Sequence, residues 1–186
     1  TLLAYEYYYD TSSATNLALN KPVTSSSVYL NNSRWSPTLL TDGKTNTYAS
    51  TQPGEEEWFQ IDLGEVKDFN TIQAYNRKDC CPERAANYRI FLTNDASLFV
   101  GKTLAEIEAT PGVTTIVEPD LMEYPSDYYN TDGKWSARYV RIMLDSTQPH
   151  PFEGALHLDT HLHPAEIMIF DAPKSHVGLV DYWSML

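Results

Sequence analysis

Positive charge is scarce in this 186-residue chain: 13 Lys and Arg stand against 25 Asp and Glu, a formal net charge of −12. A surface this acidic repels the polyanionic backbone of nucleic acid, so no nucleic-acid partner is expected. Anionic membranes are disfavoured for the same reason. No apolar run approaches the ~20 residues a spanning helix needs, so membrane insertion is not expected. Neither a charged leader region nor an apolar leader core follows Thr1, and no signal peptide is visible. The marks of an enzyme are missing too. There is no Ser/His/Asp order, no phosphate-cradling loop and no His-Glu metal motif. The run Glu55-Glu56-Glu57 reads as a solvated turn, not an acid–base pair. Cysteine is limited to two adjacent residues, Cys80 and Cys81, which rules out a framework of crosslinks between distant segments.

What is present fits one globular domain. Hydrophobic residues make up 42% and charged residues 20%, proportions that exclude a disordered chain. The length is enough to bury a core without several crosslinks. Four segments carry the period-two alternation of strands. Trp58–Leu63 places Phe59, Ile61 and Leu63 on one face, and Asn87–Leu92 does the same with Tyr88, Ile90 and Leu92. Arg138–Leu144 turns Val140, Ile142 and Leu144 inward and Arg141 outward. Glu166–Phe170 is apolar almost throughout, as a strand buried on both faces is. Turn signals separate the runs: Asp42-Gly43, Pro53-Gly54, Leu63-Gly64, Pro111-Gly112, Asp132-Gly133 and Glu153-Gly154. Only Leu104–Ala109 reads as helical. The 13 Tyr agree with a β-rich chain, and the whole is an all-β sandwich or barrel.

The chain divides into an N-terminal Tyr-rich arm (1–15), the sandwich (16–172) and an apolar C-terminal tail (173–186). Thr1–Asp10 and Val177–Leu186 are apolar and aromatic, unlike the polar, loose ends of most domains. Either they pack across the sandwich, or they pair with a neighbouring subunit and make a homo-oligomer.

The most informative stretch is Asn76-Arg77-Lys78-Asp79-Cys80-Cys81-Pro82-Glu83-Arg84. Two readings of the cysteines stand. They are free buried thiols, or they bond to each other and form a rigid, apolar plate on which the C–H face of a sugar can stack. Arg77 and Arg84 each offer a planar fork of donors that keeps its charge at any ordinary pH. Aimed at one point, the two forks would grip vicinal hydroxyls, with Asp79 holding one guanidinium in place. The plainer reading is a surface salt-bridge cluster.

This stretch, set after Asn16-Leu17-Ala18-Leu19-Asn20-Lys21-Pro22-Val23 and Thr41-Asp42-Gly43-Lys44-Thr45-Asn46, resembles the F-type lectins (fucolectins). These lie within the discoidin, or coagulation factor 5/8 C-terminal, sandwich group. The similarity runs from about Asn16 to Ala172. It implies an eight-stranded jelly-roll β-sandwich and an extracellular, secreted lectin with a site for α-L-fucose in the loops of one end. It implies that Arg77 and Arg84 donate to the sugar, that Cys80–Cys81 is a disulfide packing on it, that Asp79 orients the arginines and that Tyr48 is a wall. Fucose-binding members carry a His in the loop before the Trp-containing strand. Here that loop reads Ala49-Ser50-Thr51-Gln52-Pro53, with Gln52 or Thr51 nearest.

The resemblance also implies a structural Ca²⁺, an ion that takes six to eight hard oxygens. Asp42 and Glu166 match the carboxylate positions. The carbonyls of Leu39, Lys44 and Ala165 and a hydroxyl of Ser50 or Thr51 complete the shell. His150, His157, His161 and His163 cluster in a Pro-flanked segment that reads as a polar loop; Asp159 and Glu166 nearby leave room for a second cation. The alternative to a lectin is a structural or adhesive subunit of an extracellular assembly, with the sandwich as building block and the flanks as contacts. The sequon Asn31-Asn32-Ser33 is an acceptor for N-glycosylation.

Overall fold

A computed structural model of the chain describes residues 6–148 and 161–177. Eight strands appear in it: β1 (Glu6–Tyr9), β2 (Val23–Ser25), β3 (Trp58–Tyr75), β4 (Ala86–Thr93), β5 (Thr114–Leu121), β6 (Ser126–Leu144), β7 (Glu166–Phe170) and β8 (Lys174–Val177). One short α-helix, α1 (Leu104–Glu108), falls on the segment read as helical. Thr103 caps it, in a reciprocal pair of hydrogen bonds with Glu106.

The two long strands organise everything. β3 and β6 pair antiparallel along their whole lengths, with register shifts between Asp62 and Lys67 and between Phe69 and Thr71. The early part of β3 lies between β2 and β6, and β6 continues to β4 and β5. The late part of β3 pairs instead with the start of β6 and with β7. Each long strand therefore belongs to both layers of an antiparallel sandwich. The layers meet in the core, where Ile72 and Ile167 face Ile61, Ile90, Val140 and Ile142. The alternation seen in the sequence is realised: Phe59, Ile61 and Leu63 are buried together, as are Tyr88, Ile90 and Leu92.

Several readings change. Leu63-Gly64 and Asp132-Gly133 are not turns between strands but lie inside β3 and β6. Gly64, at φ 86°, sits in the irregular stretch that bends β3, a conformation that suits glycine. Arg141 does not face solvent. The outer face of β3, β4 and β6 is covered by a second cluster of Phe91, Phe99, Leu104, Ile107 and Met143, and Arg141 is 5% exposed beneath it. Nor is the acidic run merely solvated: Glu56 accepts from Leu104 N (3.1 Å) and Glu57 from the hydroxyl of Ser27 (2.7 Å).

The flanks, as far as they are described, pair with one another. β1 and β8 form an antiparallel ribbon in which Tyr9 lies opposite Lys174. It is tied to β6 by the Tyr9 hydroxyl, 2.9 Å from both the Thr131 carbonyl and the Asp132 carboxylate, and by Lys174 Nζ, 2.9 Å from Asp132. Glu153-Gly154, His150, His157, Asp159 and residues 178–186 lie outside the described residues.

A buried polar line crosses β5, β6 and β4. Tyr129 donates to Glu118 (2.8 Å), and the hydroxyls of Tyr88 and Tyr129 are 2.6 Å apart. Burial pushes the Glu118 carboxyl up to about 7, against an ordinary 4.5, with Asp127 adding to the rise and the Tyr129 hydrogen bond opposing it. A raised carboxyl favours the folded state in its protonated form. Its contribution is complete below pH 4.5 and is lost as pH rises to about 7. Glu118→Gln keeps an acceptor for Tyr129 and cannot ionise. Above neutrality it should be the more stable protein, by on the order of 3 kcal/mol. Urea unfolding of both proteins across this range checks it: parallel pH profiles would remove Glu118 as the cause.

Candidate functional site

The loop from Asn76 to Ala85 joins β3 to β4 at the end of the sandwich where β7 begins. Asn76 is fully buried and holds the loop from below. Its N–H donates to the Pro125 carbonyl (2.9 Å), its Nδ2 to the Pro82 carbonyl (2.9 Å), and its Oδ1 accepts from Arg77 N (2.8 Å). Cys80 and Cys81 are joined in a vicinal disulfide, which leaves no free cysteine. Cys81 takes a left-handed conformation, and Pro82–Arg84 follows as a 3₁₀ turn closed by Arg84 N on the Cys81 carbonyl (3.1 Å).

Arg77 is pinned from two sides. Its Nε and Nη2 each lie 2.7 Å from the Asp79 carboxylate, and Nη2 also donates to the Tyr48 hydroxyl (2.9 Å). The guanidinium lies 4.0 Å from the centre of the Tyr48 ring. These hydrogen bonds from Arg77 hold the Asp79 carboxyl below its usual range. Asp79 accepts from Cys80 N as well (3.0 Å), so one carboxylate fixes both the arginine and the disulfide.

A cleft of about 240 Å³ opens beside this group, walled by Arg34, Trp35, Asn46, Tyr48, Lys78 and Asp79. Drug-sized ligands occupy roughly 300–1,000 Å³, so the cleft suits one ring better than a chain of them. Trp35 donates from its indole N–H to the Tyr48 hydroxyl (3.4 Å), and Lys78 donates to Thr45 (2.9 Å).

Arg84 lines an adjoining small crevice with Met122, His161 and His163, among others. Tyr48 joins the two recesses: its hydroxyl meets Arg77, and its ring packs edge-on to His163 at 6.5 Å. Tyr48, Arg77, Asp79 and the disulfide are thus brought together, with Arg84 adjoining across Tyr48 and His163. Gln52 lines neither recess. Its backbone N–H is held by Ser27 (2.9 Å), and the ring that reaches its loop is His161, whose Nδ1 lies 3.1 Å from the Thr51 carbonyl. Sequence reasoning read His161 and His163 as loop residues and overlooked Trp35 and Asn46. Only the ladder between Thr51 and Leu162 places these histidines here, and no local spacing signals it.

The residues expected at a cation converge in part. Glu166 is fully buried; its Oε1 accepts from Gly43 N (3.0 Å), and its Oε2 has no partner. Burial pushes its carboxyl up to about 8, and the neighbouring Asp42 carboxylate adds to the rise. Thr47 Oγ1, in the same loop as Asp42, is also buried without a partner. Glu166 Oε2 is thus an unmet carboxylate oxygen near the Asp42 carboxylate, a donor pair that suits a hard divalent ion. The hydroxyls of Ser50 and Thr51 are engaged instead with the Thr51 carbonyl (3.1 Å) and Leu162 N (3.0 Å). Among the described residues, no three His, Cys, Asp or Glu side chains gather around a common point.

The chain is an antiparallel sandwich that carries a polar site on the loops at one end. The chain belongs to the F5/8 type C domain family, whose model matches residues 22–153. No curated protein matches it. Among solved structures it is similar to a Streptococcus pneumoniae fucose binding module (21% identity, TM-score 0.63, covering 86% of this chain and 97% of that one). It is similar also to a fucolectin from striped bass (Morone saxatilis) serum (22%, TM-score 0.64, 86% of this chain and 49% of that one). A third is chitosan-binding module 1 of a chitosanase/glucanase from Paenibacillus sp. IK-5 (18%, TM-score 0.61, 84% and 98%). These likenesses establish the fold.

The Asn76 bonds generate a prediction. Asn76→Ala removes two side-chain hydrogen bonds, one to the Pro82 carbonyl and one from Arg77 N, at a cost of roughly 1–3 kcal/mol. Urea unfolding measures it; a loss under about 0.5 kcal/mol, the range of an ordinary surface change, would show that the loop stands without Asn76.

Proposed function

We propose that the domain is an extracellular lectin that binds fucose or a related sugar at the rim formed by Tyr48, Arg77, Asp79, the Cys80–Cys81 disulfide and Arg84. The observation that carries this reading is the convergence of the first three with the disulfide beside a ring-sized cleft. The disulfide offers an apolar face and Arg77 a pre-oriented cation, both held before a ligand arrives. Little ordering is then needed on binding, which favours affinity for a small solute. The similar structures named for fucose and chitosan binding support a saccharide as ligand. A disulfide between neighbours persists in oxidising surroundings, which supports a location outside the cell.

A glycan array followed by calorimetry tests the reading. Fucosylated glycans should bind, and Arg77→Ala should weaken them at least tenfold with the melting temperature nearly unchanged. Absence of binding to any fucosylated or galactose-type glycan would end it. The second reading, an adhesive subunit, draws on the ribbon of β1 and β8, where Tyr7 and Tyr8 are about half exposed. Several copies joined there would gain avidity from weak single sites.

The reading includes a structural Ca²⁺ held by Asp42, Glu166 and Thr47 with the carbonyls of Leu39, Lys44 and Ala165. Such an ion supplies positive charge to the buried Glu166 carboxylate and ties the 42–47 loop to β7. Added Ca²⁺ should raise the melting temperature and chelator should lower it, and Glu166→Gln should abolish the difference. A Ca²⁺-independent melting temperature in the parent protein would reject the ion.

A further inference from the structure

On the outer face of the β3–β6 pair, opposite the core, lies an open groove of about 560 Å³, bordered by Trp58, Gln60, Phe99, Lys102, Thr103 and Arg141. Arg141 forms its floor. Its guanidinium lies 3.8 Å from the Trp58 ring centre and 4.6 Å from that of Phe99, and its residue exposure is only 5%. Its hydrogen bonds, from Nε (3.0 Å) and Nη2 (2.7 Å), both go to Gln60 Oε1, a neutral acceptor directly across the strand pair. Among the described residues no carboxylate pairs with it, and Nη1 has no partner yet is not sealed from solvent.

A cation this deeply buried ordinarily sits against an anion, because removal from water is costly unless the charge is met. The strain shows in Arg141 itself: burial alone lowers its pKa to about 10. The other charges on the groove are few. Lys102 donates to Thr110 (3.0 Å), which leaves two of its three ammonium protons for a ligand. Among the described residues Glu56 is the one carboxylate lining the groove, and its Oε2 is occupied by Leu104 N. On a chain of net charge −12, this is a local positive patch with a preset planar donor at its base.

We propose that this groove is a second ligand site, which takes an oxyanion (carboxylate or sulfate) carried on a sugar. The oxyanion meets Arg141 Nη1 and Lys102 Nζ, and the sugar lies along the groove beside Trp58. A guanidinium held by Gln60 and packed on two aromatic rings is already ordered, so an oxyanion at Nη1 gains a charge-assisted hydrogen bond with little cost to fix the donor. The volume falls within the range of small-ligand sites, about 300–1,000 Å³, and is more than a bare ion needs. The inference does not depend on sugar binding at the Arg77 rim.

The test follows the Trp58 indole N–H resonance of the intact protein during titration with a heparin-derived disaccharide, its desulfated N-acetylated neutral counterpart, and inorganic sulfate. The charged disaccharide should shift the resonance and the neutral one should not. Lys102→Glu should weaken binding at least tenfold. Gln60→Glu, isosteric with the parent, supplies Arg141 with an internal carboxylate; it should abolish binding and raise the melting temperature. Arg77→Ala should leave this titration unchanged, which separates the site from the rim. The proposal is overturned if the charged disaccharide gives no shift, if the neutral sugar binds equally, if inorganic sulfate alone binds, or if Gln60→Glu binds as the parent does.

Discussion

The rim depends on one junction of main chains. Tyr75, the last residue of β3, pairs with Ser126 at the start of β6 and with Glu166 at the start of β7. The Tyr75 carbonyl accepts from Ala165 N (2.9 Å), and one residue later Asn76 N reaches the Pro125 carbonyl (2.9 Å). Backbone bonds of this kind are short and hard to displace once water is excluded. They set three chain segments side by side, so the disulfide loop, the 161–165 segment and the Asp42 loop are presented on one rim. Arg77 and Glu166 are far apart in sequence but hang from the same knot.

The polar groups around that knot are arranged to limit the cost of their charges. Asp79 satisfies Arg77 with both oxygens, and Tyr48 takes the remaining direction. Glu166 is the counter-example: it is buried, half satisfied by Gly43, and left with an unmet oxygen. An exposed pair such as Lys67–Glu65 contributes little either way, whereas a buried, unmet group carries its full desolvation cost. Arg141 on the opposite face follows the same logic with the opposite sign.

The sequence shows local periodicity and little of what crosses the chain. Phe59-Ile61-Leu63 and Tyr88-Ile90-Leu92 could be read at once, because alternation is a property of a few adjacent residues and the core face is sealed by the other layer. The lengths of β3 and β6 could not, since Gly64 and Gly133 look like turns and serve inside bent strands. Alternation placed Arg141 correctly on the outer face but could not show that Phe99 and α1 would cover it. At the rim, Arg77, Asp79 and the two cysteines share one short loop and were legible together. His161, Trp35 and Thr47 come from segments joined only by tertiary hydrogen bonds, and nothing in their spacing announces them.

The ribbon of β1 and β8 brings the two described ends of the chain together. Tyr9 and Lys174 are cross-strand neighbours, so the polypeptide arrives and departs at one place. That place follows Phe170 and Ala172, at the end of β7 opposite Glu166 and the rim. A strand of five residues separates the two ends by roughly 13 Å at ~3.3 Å per residue. Force applied through Tyr9 and Lys174 would therefore enter the sandwich at the end remote from the rim.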